Sequence, residues 1–259
     1  MKKLAKRVLL FILGPIIRRL GYIEYQRMPS TLHGKDNLLD NFFRLLLENK
    51  FRPKHILDIG ANHGTWTRNA LTYFPETNFT MIEPQEWLSE SSKDLVLLEN
   101  VEIDWCGVGA KEGEFNLTVH DRDDSSTFRL TEQEAKARGF KQVKIPVKTV
   151  DQIIGESSFS NPEIIKIDAE GMDLEVLKGA ERTIKGCEFV LIEAGVMNLG
   201  FDNSVIRVIK TMDSLGFRLF DLTDLNRPFK QQVLWLVELV FVRIGSNFDV
   251  INYRDSAAD

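Results

Sequence analysis

The sequence predicts an α/β fold built on a doubly wound, mainly parallel sheet. Short apolar runs that fit buried strands alternate with amphipathic stretches that fit helices along most of the 259 residues. A loop with two glycines directly follows the first such run, residues 56–59, as in open sheets that bind nucleotides. No helical pattern separates the last two predicted strands, so we expect an antiparallel hairpin at one edge of the sheet.

An N-terminal helical extension, residues 1–50, precedes the domain proper, residues 51–259. Apolar residues at helical spacing predict a helix within residues 30–49, which Arg52-Pro53 ends. In the first half of the domain, apolar runs or period-two alternation predict strands at 56–59, 79–82, 101–105, 114–120 and 143–147, and helical spacing predicts helices after Gly64 and at 131–138 and 150–154.

The second half of the domain continues the alternation. Two apolar runs predict buried strands that end in Asp168 and Glu193. Gly216 is placed to end the last helix. The predicted elements are strands at 163–167, 189–192, 217–220 and 234–242 and helices at 173–184 and 204–215.

The loop after the first strand has the composition of a cofactor site. It contains Asp58, Gly60, Asn62 and Gly64, and the next strand brings Glu83 to the same edge, where a carboxylate can bind ribose hydroxyls. The glycine spacing fits neither a dinucleotide fingerprint nor a P-loop. An aspartate before the turn repels phosphate and suits an amino group. The pattern favours S-adenosylmethionine, and a plain turn in which Asp58 caps the helix is the alternative.

Two residues around the end of the third strand are candidates for contact with adenine. Asp104 offers a carboxylate to the exocyclic amine, and Trp105 offers a flat ring face. Simple packing in the core explains Trp105 equally well.

Three segments of the chain point to one family. They read Asp-Ile-Gly-Ala-Asn-His-Gly at 58–64, Ile-Glu-Pro at 82–84 and, as the discriminating block, Lys-Ile-Asp-Ala-Glu-Gly at 166–171. Together they resemble the FkbM family of S-adenosylmethionine-dependent methyltransferases, over most of the chain. The resemblance implies a class I methyltransferase (Rossmann-like) fold and methyl transfer to hydroxyl groups of sugars or polyketides. Met172-Asp173 departs from the pair that the family often has, which leaves the acceptor open.

Acids that end neighbouring strands are the candidates for catalysis. Asp168 and Glu193 lie on the side of the sheet where an acceptor must approach. A carboxylate there could take the hydroxyl proton, or both could hold Mg²⁺ or another divalent metal that polarises the hydroxyl. His63, in the glycine loop, is a further catalytic candidate. Helix capping together with pairing to Lys166 is the alternative for the two acids.

Three further residues are candidates for acceptor binding. One is close to Asp168 in the sequence, and the other two lie in a loop that the resemblance places beside the active site. Glu170 adds a third carboxylate, and the hydroxyls of Ser125 and Ser126 could read a polyhydroxylated acceptor, although an ordinary turn explains the serines equally well. From the resemblance we expect O-methylation of a sugar or glycoconjugate. A methyltransferase of a polyketide or another small-molecule hydroxyl or amine, or a non-catalytic cofactor-binding scaffold, is the alternative.

Charge and the N-terminal segment bear on the partners. The net charge of −5 argues against nucleic acid as a partner, and from the resemblance we expect a small-molecule or glycan acceptor. Cys106 and Cys187 show neither metal-type spacing nor a disulfide framework, so we expect a cytoplasmic protein. Basic residues flank the apolar run at 8–17, which is too short to span a bilayer. Residues 1–20 are therefore expected either to touch anionic lipid at the inner face of the membrane or to pack on the domain or on a second subunit of a homodimer.

Overall fold

The structure is a computed structural model and describes residues 38–122, 125–197 and 202–249. The contact with membrane or subunit predicted for residues 1–20 lies outside these ranges, as does most of the predicted N-terminal extension. Within them the chain forms a seven-stranded sheet and a separate three-stranded sheet. Among the described helices, none is both long enough and apolar enough to cross a membrane.

The described residues contain ten strands. In chain order they are β1 (His55–Ile59), β2 (Asn78–Ile82), β3 (Val101–Asp104), β4 (Gly107–Val108), β5 (Gly113–Val119), β6 (Lys141–Lys148), β7 (Ile164–Ile167), β8 (Phe189–Gly195), β9 (Phe217–Asn226) and β10 (Leu236–Arg243). The large sheet has the order β3-β2-β1-β7-β8-β10-β9, in which β10 is antiparallel to both of its neighbours. The other neighbours in it are parallel. This arrangement confirms the predicted doubly wound sheet with an antiparallel edge hairpin.

Helices cover both faces of this sheet. Their bounds are α1 (Leu38–Glu48), α2 (Thr65–Tyr73), α3 (Lys93–Val96), α4 (Glu132–Ala137), α5 (Val150–Glu156), α6 (Asp173–Lys178) and α7 (Val205–Ser214), with 3-10 turns at Glu86–Ser92 and Thr183–Gly186. The small sheet, in the order β4-β6-β5, and α4 form a unit between β3 and α5.

Two apolar clusters, one on each face, form the core of the domain. Successive residues of β1 belong to different clusters: Ile56 packs with Phe42 and Phe43 of α1, and Leu57 packs with Val176 of α6. This follows from the alternation of side chains along a strand. Because Phe42 and Phe43 are fully buried, α1 is part of the domain core, although the sequence placed it in the extension.

Three predicted features differ from the structure. Glu193 was predicted to follow a strand, but β8 continues to Gly195 through its pairing with β10. The helix predicted at 173–184 ends at Lys178, because Gly179 follows as its C-cap residue and glycine is unfavourable within a helix. The small sheet was not foreseen as a separate sheet, because β4 has only two residues and shows no period.

The end of β1 touches the end of β7 at Gly60. This glycine has φ +76°, and a Cβ atom there would lie 1.8 Å from the carbonyl oxygen of Asp168. The backbone N–H of Asp168 donates to the carbonyl of Ile59 at 3.0 Å, and that of Gly60 donates to Ile82 at 2.9 Å. Strands β1, β2 and β7 thus hold Gly60 from both sides, and only glycine fits.

Gly60→Ala should destabilise the fold by about 3 kcal/mol or more, because left-handed strain of about 1–2 kcal/mol adds to a backbone clash. Gly139→Ala is the matched control, since Gly139 has φ +75° and nothing within 4 Å of the added Cβ. It should lose only the strain energy. Urea unfolding of both variants measures the difference, and equal losses would contradict the clash at Gly60.

Candidate active site

Three clefts open at the carboxyl ends of the parallel strands, and Asp168 lines all of them. Each is named here after one residue that lines it: the Glu83 cleft, the Trp235 cleft and the Lys166 cleft. Several predicted site residues therefore meet at one edge of the sheet. Those that line two clefts are Gly60 and Asn62 (Glu83 and Lys166 clefts), Glu170 (Glu83 and Trp235 clefts) and Glu193 (Trp235 and Lys166 clefts).

Glu83 stands at the end of β2 and is 3% exposed. The backbone N–H of Asn62 donates to its Oε2 at 2.8 Å, and the backbone N–H and side-chain amide of Gln85 donate to its Oε1 at 3.0 and 3.1 Å. Burial raises the pKa of Glu83, and these donors and Lys166 partly oppose the shift. The carboxylate joins the glycine loop to the loop after β2 and keeps lone pairs for a ligand.

The remaining surface of the Glu83 cleft is mostly apolar. Cys106, Val108 and Phe128 contribute to it. Ser126 also lines it, and its hydroxyl donates to Oε1 of Gln85 at 2.9 Å. Ser126, predicted for acceptor binding, therefore lies in this cleft and helps to fix the loop after β2.

Asp104 and Trp105, predicted to contact adenine, lie outside the lining of the Glu83 cleft. Asp104 instead accepts a hydrogen bond from Nζ of Lys148 at 3.0 Å. The chain reaches the cleft one residue later, at Cys106, and follows it to Val108. Cys106 and Val108 thus provide the apolar contact surface that the sequence assigned to Trp105.

Lys166 is a buried cation directly beneath the site. Its side chain is 6% exposed, and Nζ lies 3.2 Å from Oδ2 of Asp168, 3.5 Å from Oδ1 of Asp58 and 3.3 Å from the carbonyl oxygen of Gly60. Burial by itself would lower the pKa of Lys166, but Asp168, Asp58 and Glu238 outweigh it, and the pKa lies above its ordinary value. Since a buried charge needs partners, the surrounding carboxylates explain why a lysine is tolerated here.

Asp58 and Gly64, both predicted to bind the cofactor, lie beneath the glycine loop. Asp58 is fully buried, and its Oδ2 accepts a hydrogen bond from the hydroxyl of Thr67 at 2.6 Å. Gly64 is buried with φ +73°, and a Cβ atom there would lie 2.4 Å from Leu95. Neither residue lines a cleft, so in this structure both shape the loop from below.

Two acidic side chains face each other near the end of the sheet. Glu193 on β8 is directly opposite Glu238 on β10. Burial raises the pKa of Glu193 well above its usual range, and Asp168 and other nearby acids raise it further. Burial also raises the pKa of Glu238, to about 7, against the opposing effect of Lys166. Burial therefore favours the protonated form of both carboxyl groups.

Asp173 joins the loop after β7 to the end of β8. The backbone N–H of Ala169 donates to its Oδ1 at 3.0 Å, and the amide of Asn203 donates to its Oδ2 at 2.8 Å. The same amide reaches the carbonyl oxygen of Glu193 at 3.3 Å. Burial raises the pKa of Asp173 to about 7. These bonds fix the loop that begins at Asp168 relative to Glu193.

His63, the third catalytic candidate, lines the Lys166 cleft. Its Nδ1 is hydrogen-bonded to the hydroxyl of Ser91 at 2.8 Å, and its backbone N–H donates to the side-chain oxygen of Asn62. The imidazole is thus held in the glycine loop and lines a different cleft from Ser126.

The Trp235 cleft has a volume of about 750 Å³ and a mixed polar and apolar lining. Ser125 and Glu170, both predicted for acceptor binding, line it. The hydroxyl of Thr127 donates to the carbonyl oxygen of Glu170 at 3.0 Å, which holds the two loops together. The indole of Trp235 packs edge-to-face on Phe229, with ring centroids 5.2 Å apart.

Asp168 and Glu193, predicted as metal ligands, line the same two clefts. Within residues 38–122, 125–197 and 202–249, no group of three or more His, Cys, Asp or Glu residues is placed to hold a metal ion. The partner seen for Asp168 is the ammonium of Lys166. A metal held by this pair of acids therefore stays a prediction.

The Glu83 cleft fits an adenosine-type ligand that has no phosphates. Glu83 offers acceptor lone pairs of the kind that ribose hydroxyls need, and Cys106 and Phe128 offer an apolar surface for a ring. Asp168 and Glu170 at the same cleft disfavour a phosphate chain.

Residues 58–219, more than half of the chain, match the family model described as the methyltransferase FkbM domain. The chain belongs to the FkbM methyltransferase family. It is therefore a methyltransferase, and its large sheet is that of a class I methyltransferase. The match includes Glu83, Asp168 and Glu193, and the resemblance read from the sequence is confirmed.

Individual relatives are more distant. This FkbM protein is 26% identical to the hexuronic acid methyltransferase AglP of Haloferax volcanii over 190 residues, which is 71% of each chain. Among solved structures, the 1,6-didemethyltoxoflavin-N1-methyltransferase of Burkholderia thailandensis, with bound 1,6-didemethyltoxoflavin and S-adenosylhomocysteine, has a TM-score of 0.42 and 12% identity over 90% of both chains. The precorrin-6y C5,15-methyltransferase of Geobacter metallireducens has a TM-score of 0.41 and 9% identity over 78% of this chain and 88% of its own.

Sequence reasoning missed several residues of this FkbM site. Glu238 is a charge inside an apolar strand, Leu236-Val-Glu-Leu. Such an interruption signals a buried charge with a partner, and it could have placed Glu238 at the site. Lys166 was named only as a partner in the alternative for Asp168 and Glu193. Gln85 and Phe128 follow no periodic or spacing pattern, and their roles become visible only in the fold.

Glu238→Gln should make the protein more stable at high pH than the wild type. The folded pKa of Glu238, about 7, lies above the ordinary value of 4.5, so the folded state holds the proton longer and wild-type stability falls as pH rises through this range. Glutamine mimics the protonated form. The stability of the variant relative to the wild type should therefore rise by about 1–3 kcal/mol between pH 5 and pH 8.

Urea unfolding at the two pH values measures this change, with Glu112→Gln at an exposed position as the control. A difference between Glu238→Gln and wild type that does not depend on pH would show that Glu238 is ionised in the folded protein without penalty.

Proposed function

We propose that this FkbM protein is an S-adenosylmethionine-dependent O-methyltransferase that acts on a hydroxyl of a sugar or glycoconjugate. The observation that carries the proposal is the position of Asp168, which lines both the Glu83 cleft and the Trp235 cleft. A cofactor in the first cleft and an acceptor in the second would meet at this carboxylate. Membership of the FkbM family supports methyl transfer as the reaction.

The Glu83 cleft would hold the cofactor. Glu83 would accept hydrogen bonds from the ribose hydroxyls, while Cys106 and Phe128 would pack against the adenine. Gly60 and Asn62 would bind the methionine part, since they line both this cleft and the Lys166 cleft. When bound, S-adenosylmethionine supplies an electrophilic methyl group on a sulfonium centre.

Asp168 is the group placed to accept the proton of the acceptor hydroxyl. Its side chain is 33% exposed, and its carboxylate is stabilised by the ammonium of Lys166. Glu193 has a raised pKa and keeps its proton at neutral pH, so it suits a hydrogen-bond donor to the acceptor and not a base. The bonds of Asp173 keep the two side chains in a fixed relation, as acid–base catalysis requires.

Two features support a sugar as the acceptor. The Trp235 cleft combines polar side chains such as Ser125, Thr127 and Asn226 with an indole ring, and a polyhydroxylated ring needs both hydrogen-bonding groups and a flat apolar face. In addition, the relative AglP is named as a hexuronic acid methyltransferase, and hexuronic acids are sugars.

Glu83→Ala should weaken binding of S-adenosylhomocysteine by about 1.5–3 kcal/mol, because the variant loses charge-assisted hydrogen bonds to the ribose and the anchor of the Asn62 backbone. Calorimetric titration measures the affinity. Glu86→Ala, three residues on and exposed, is the matched control and should bind as the wild type does. An unchanged affinity of folded Glu83→Ala would remove Glu83 from the cofactor site.

Asp168→Asn should lower turnover by about 10²–10⁴-fold with little change in the affinity for S-adenosylhomocysteine, since the amide cannot accept the proton. Formation of S-adenosylhomocysteine with methyl glucuronide as acceptor measures turnover. Asp213→Asn, at an exposed position on α7, is the control.

The same assay distinguishes the alternatives. Loss of activity with EDTA that magnesium or manganese restores would support the predicted metal at Asp168 and Glu193, and indifference to EDTA supports a direct base. Turnover of a polyketide alcohol but of no sugar would contradict the sugar proposal and support a polyketide acceptor. Cofactor binding without turnover of any acceptor would favour a scaffold.

A further inference from the structure

The charged side chains of the Trp235 cleft come from two parts of the fold. Its central acids, Asp168, Glu170 and Glu193, belong to the large sheet and the loop after β7. Its basic residues all come from two described stretches beside the small sheet, residues 120–122 and 125–138. They are His120, Arg122, Arg129 and Arg138.

Hydrogen bonds tie the stretch that contains Arg129 to β5 and to the loop after β7. Thr127 pairs with Thr118 of β5 through two backbone hydrogen bonds of 2.8 and 3.1 Å, and its hydroxyl reaches the carbonyl oxygen of Glu170 at 3.0 Å. Arg129 follows two residues later, and its backbone N–H donates to the same hydroxyl at 3.3 Å. The ring of His120 packs on that of Phe140, with ring centroids 4.1 Å apart. These contacts fix the backbone of Arg129 and the ring of His120.

The three arginines of the cleft come from one side of the fold, while three of its four acids come from the large sheet and the loop after β7. The fourth acid, Glu134, also lines the cleft, but it accepts hydrogen bonds from the backbone and hydroxyl of Thr131 in a capping box. A guanidinium has five N–H donors, so an arginine can keep a partner within the protein and still bind an anion.

From this arrangement we infer that the Trp235 cleft binds acceptors that bear an anionic group, a carboxylate or a phosphate. The arginines bind the anion, in the geometry that guanidinium groups favour for such groups. The anion is repelled by Asp168 and Glu170, and the acceptor is therefore oriented with its hydroxyl, not its charge, toward the acids. This inference rests on the proposed function and assigns the small-sheet unit to recognition of the acceptor.

The test compares three probes that share a ring and differ in charge: methyl glucoside, methyl glucuronide and glucose 6-phosphate. Their binding to the full chain is measured by calorimetry in the presence of S-adenosylhomocysteine. We expect at least one of the two anions to bind about tenfold or more tightly than the neutral glucoside, with a preference that decreases as salt is added. The anion with the larger preference identifies the source as a carboxylate or a phosphate.

Charge removal in the cleft should abolish the preference. In Arg129→Gln, and more fully in Arg129→Gln combined with Arg138→Gln, we expect the affinity for the anionic probe to fall fivefold or more, while the affinities for the glucoside and for S-adenosylhomocysteine stay unchanged. Lys136→Gln is the matched control, because it removes one positive charge from α4 at a position outside the Trp235 cleft. It should leave the preference intact.

The two proposals fail in different ways. The anionic acceptor is overturned if the wild type binds charged and neutral sugars equally. It is also overturned if Lys136→Gln and Arg129→Gln lose the same affinity for the anionic probe. In both cases the sugar proposal stands. If no sugar binds, the sugar proposal fails, and the pair 4-hydroxybenzoate and 4-hydroxybenzyl alcohol decides the inference in the same variants. A preference for the benzoate that requires Arg129 supports it, and no preference overturns it.

Discussion

The buried ammonium of Lys166 is the interaction on which the site depends. It links Asp58 at the end of β1 to Asp168 at the end of β7, and it also contacts the carbonyl oxygen of Gly60. Removing a charge from water costs several kcal/mol unless close partners compensate. Strand β1, the glycine loop and the loop after β7 supply those partners and are therefore coupled. A shift of any one of them leaves a buried charge without compensation.

Close packing of backbone reinforces this coupling. Because Gly60 lies against the carbonyl group of Asp168, no side chain fits between the glycine loop and the loop after β7. Glu83 adds a third connection, since it binds the backbone of Asn62. The result is a rigid edge at which three clefts share Asp168, and rigidity of this kind is what positioning of a methyl donor and an acceptor requires.

The large sheet and two of its acids could be predicted from sequence because they depend on local patterns. Buried parallel strands read as apolar runs, and Glu83 and Asp168 directly follow such runs. What escaped prediction depends on contacts between distant segments. Asp58 is turned inward by Lys166, and the length of β8, which places Glu193 inside a strand, is set by its pairing with β10. No local pattern contains either contact.

The balance of charge is consistent with the proposed base and proton donor at one edge of the sheet. Lys166 is a single ammonium among Asp58, Asp168, Glu193 and Glu238, and burial raises the pKa of Glu193 and Glu238. Asp168 forms an ion pair with this ammonium, while burial favours the protonated form of Glu193. Environments that differ in this way divide the roles of base and donor between like residues. An edge so rich in acids also repels anions, so recognition of an anionic acceptor falls to a separate unit, and the arginines beside the small sheet occupy that place.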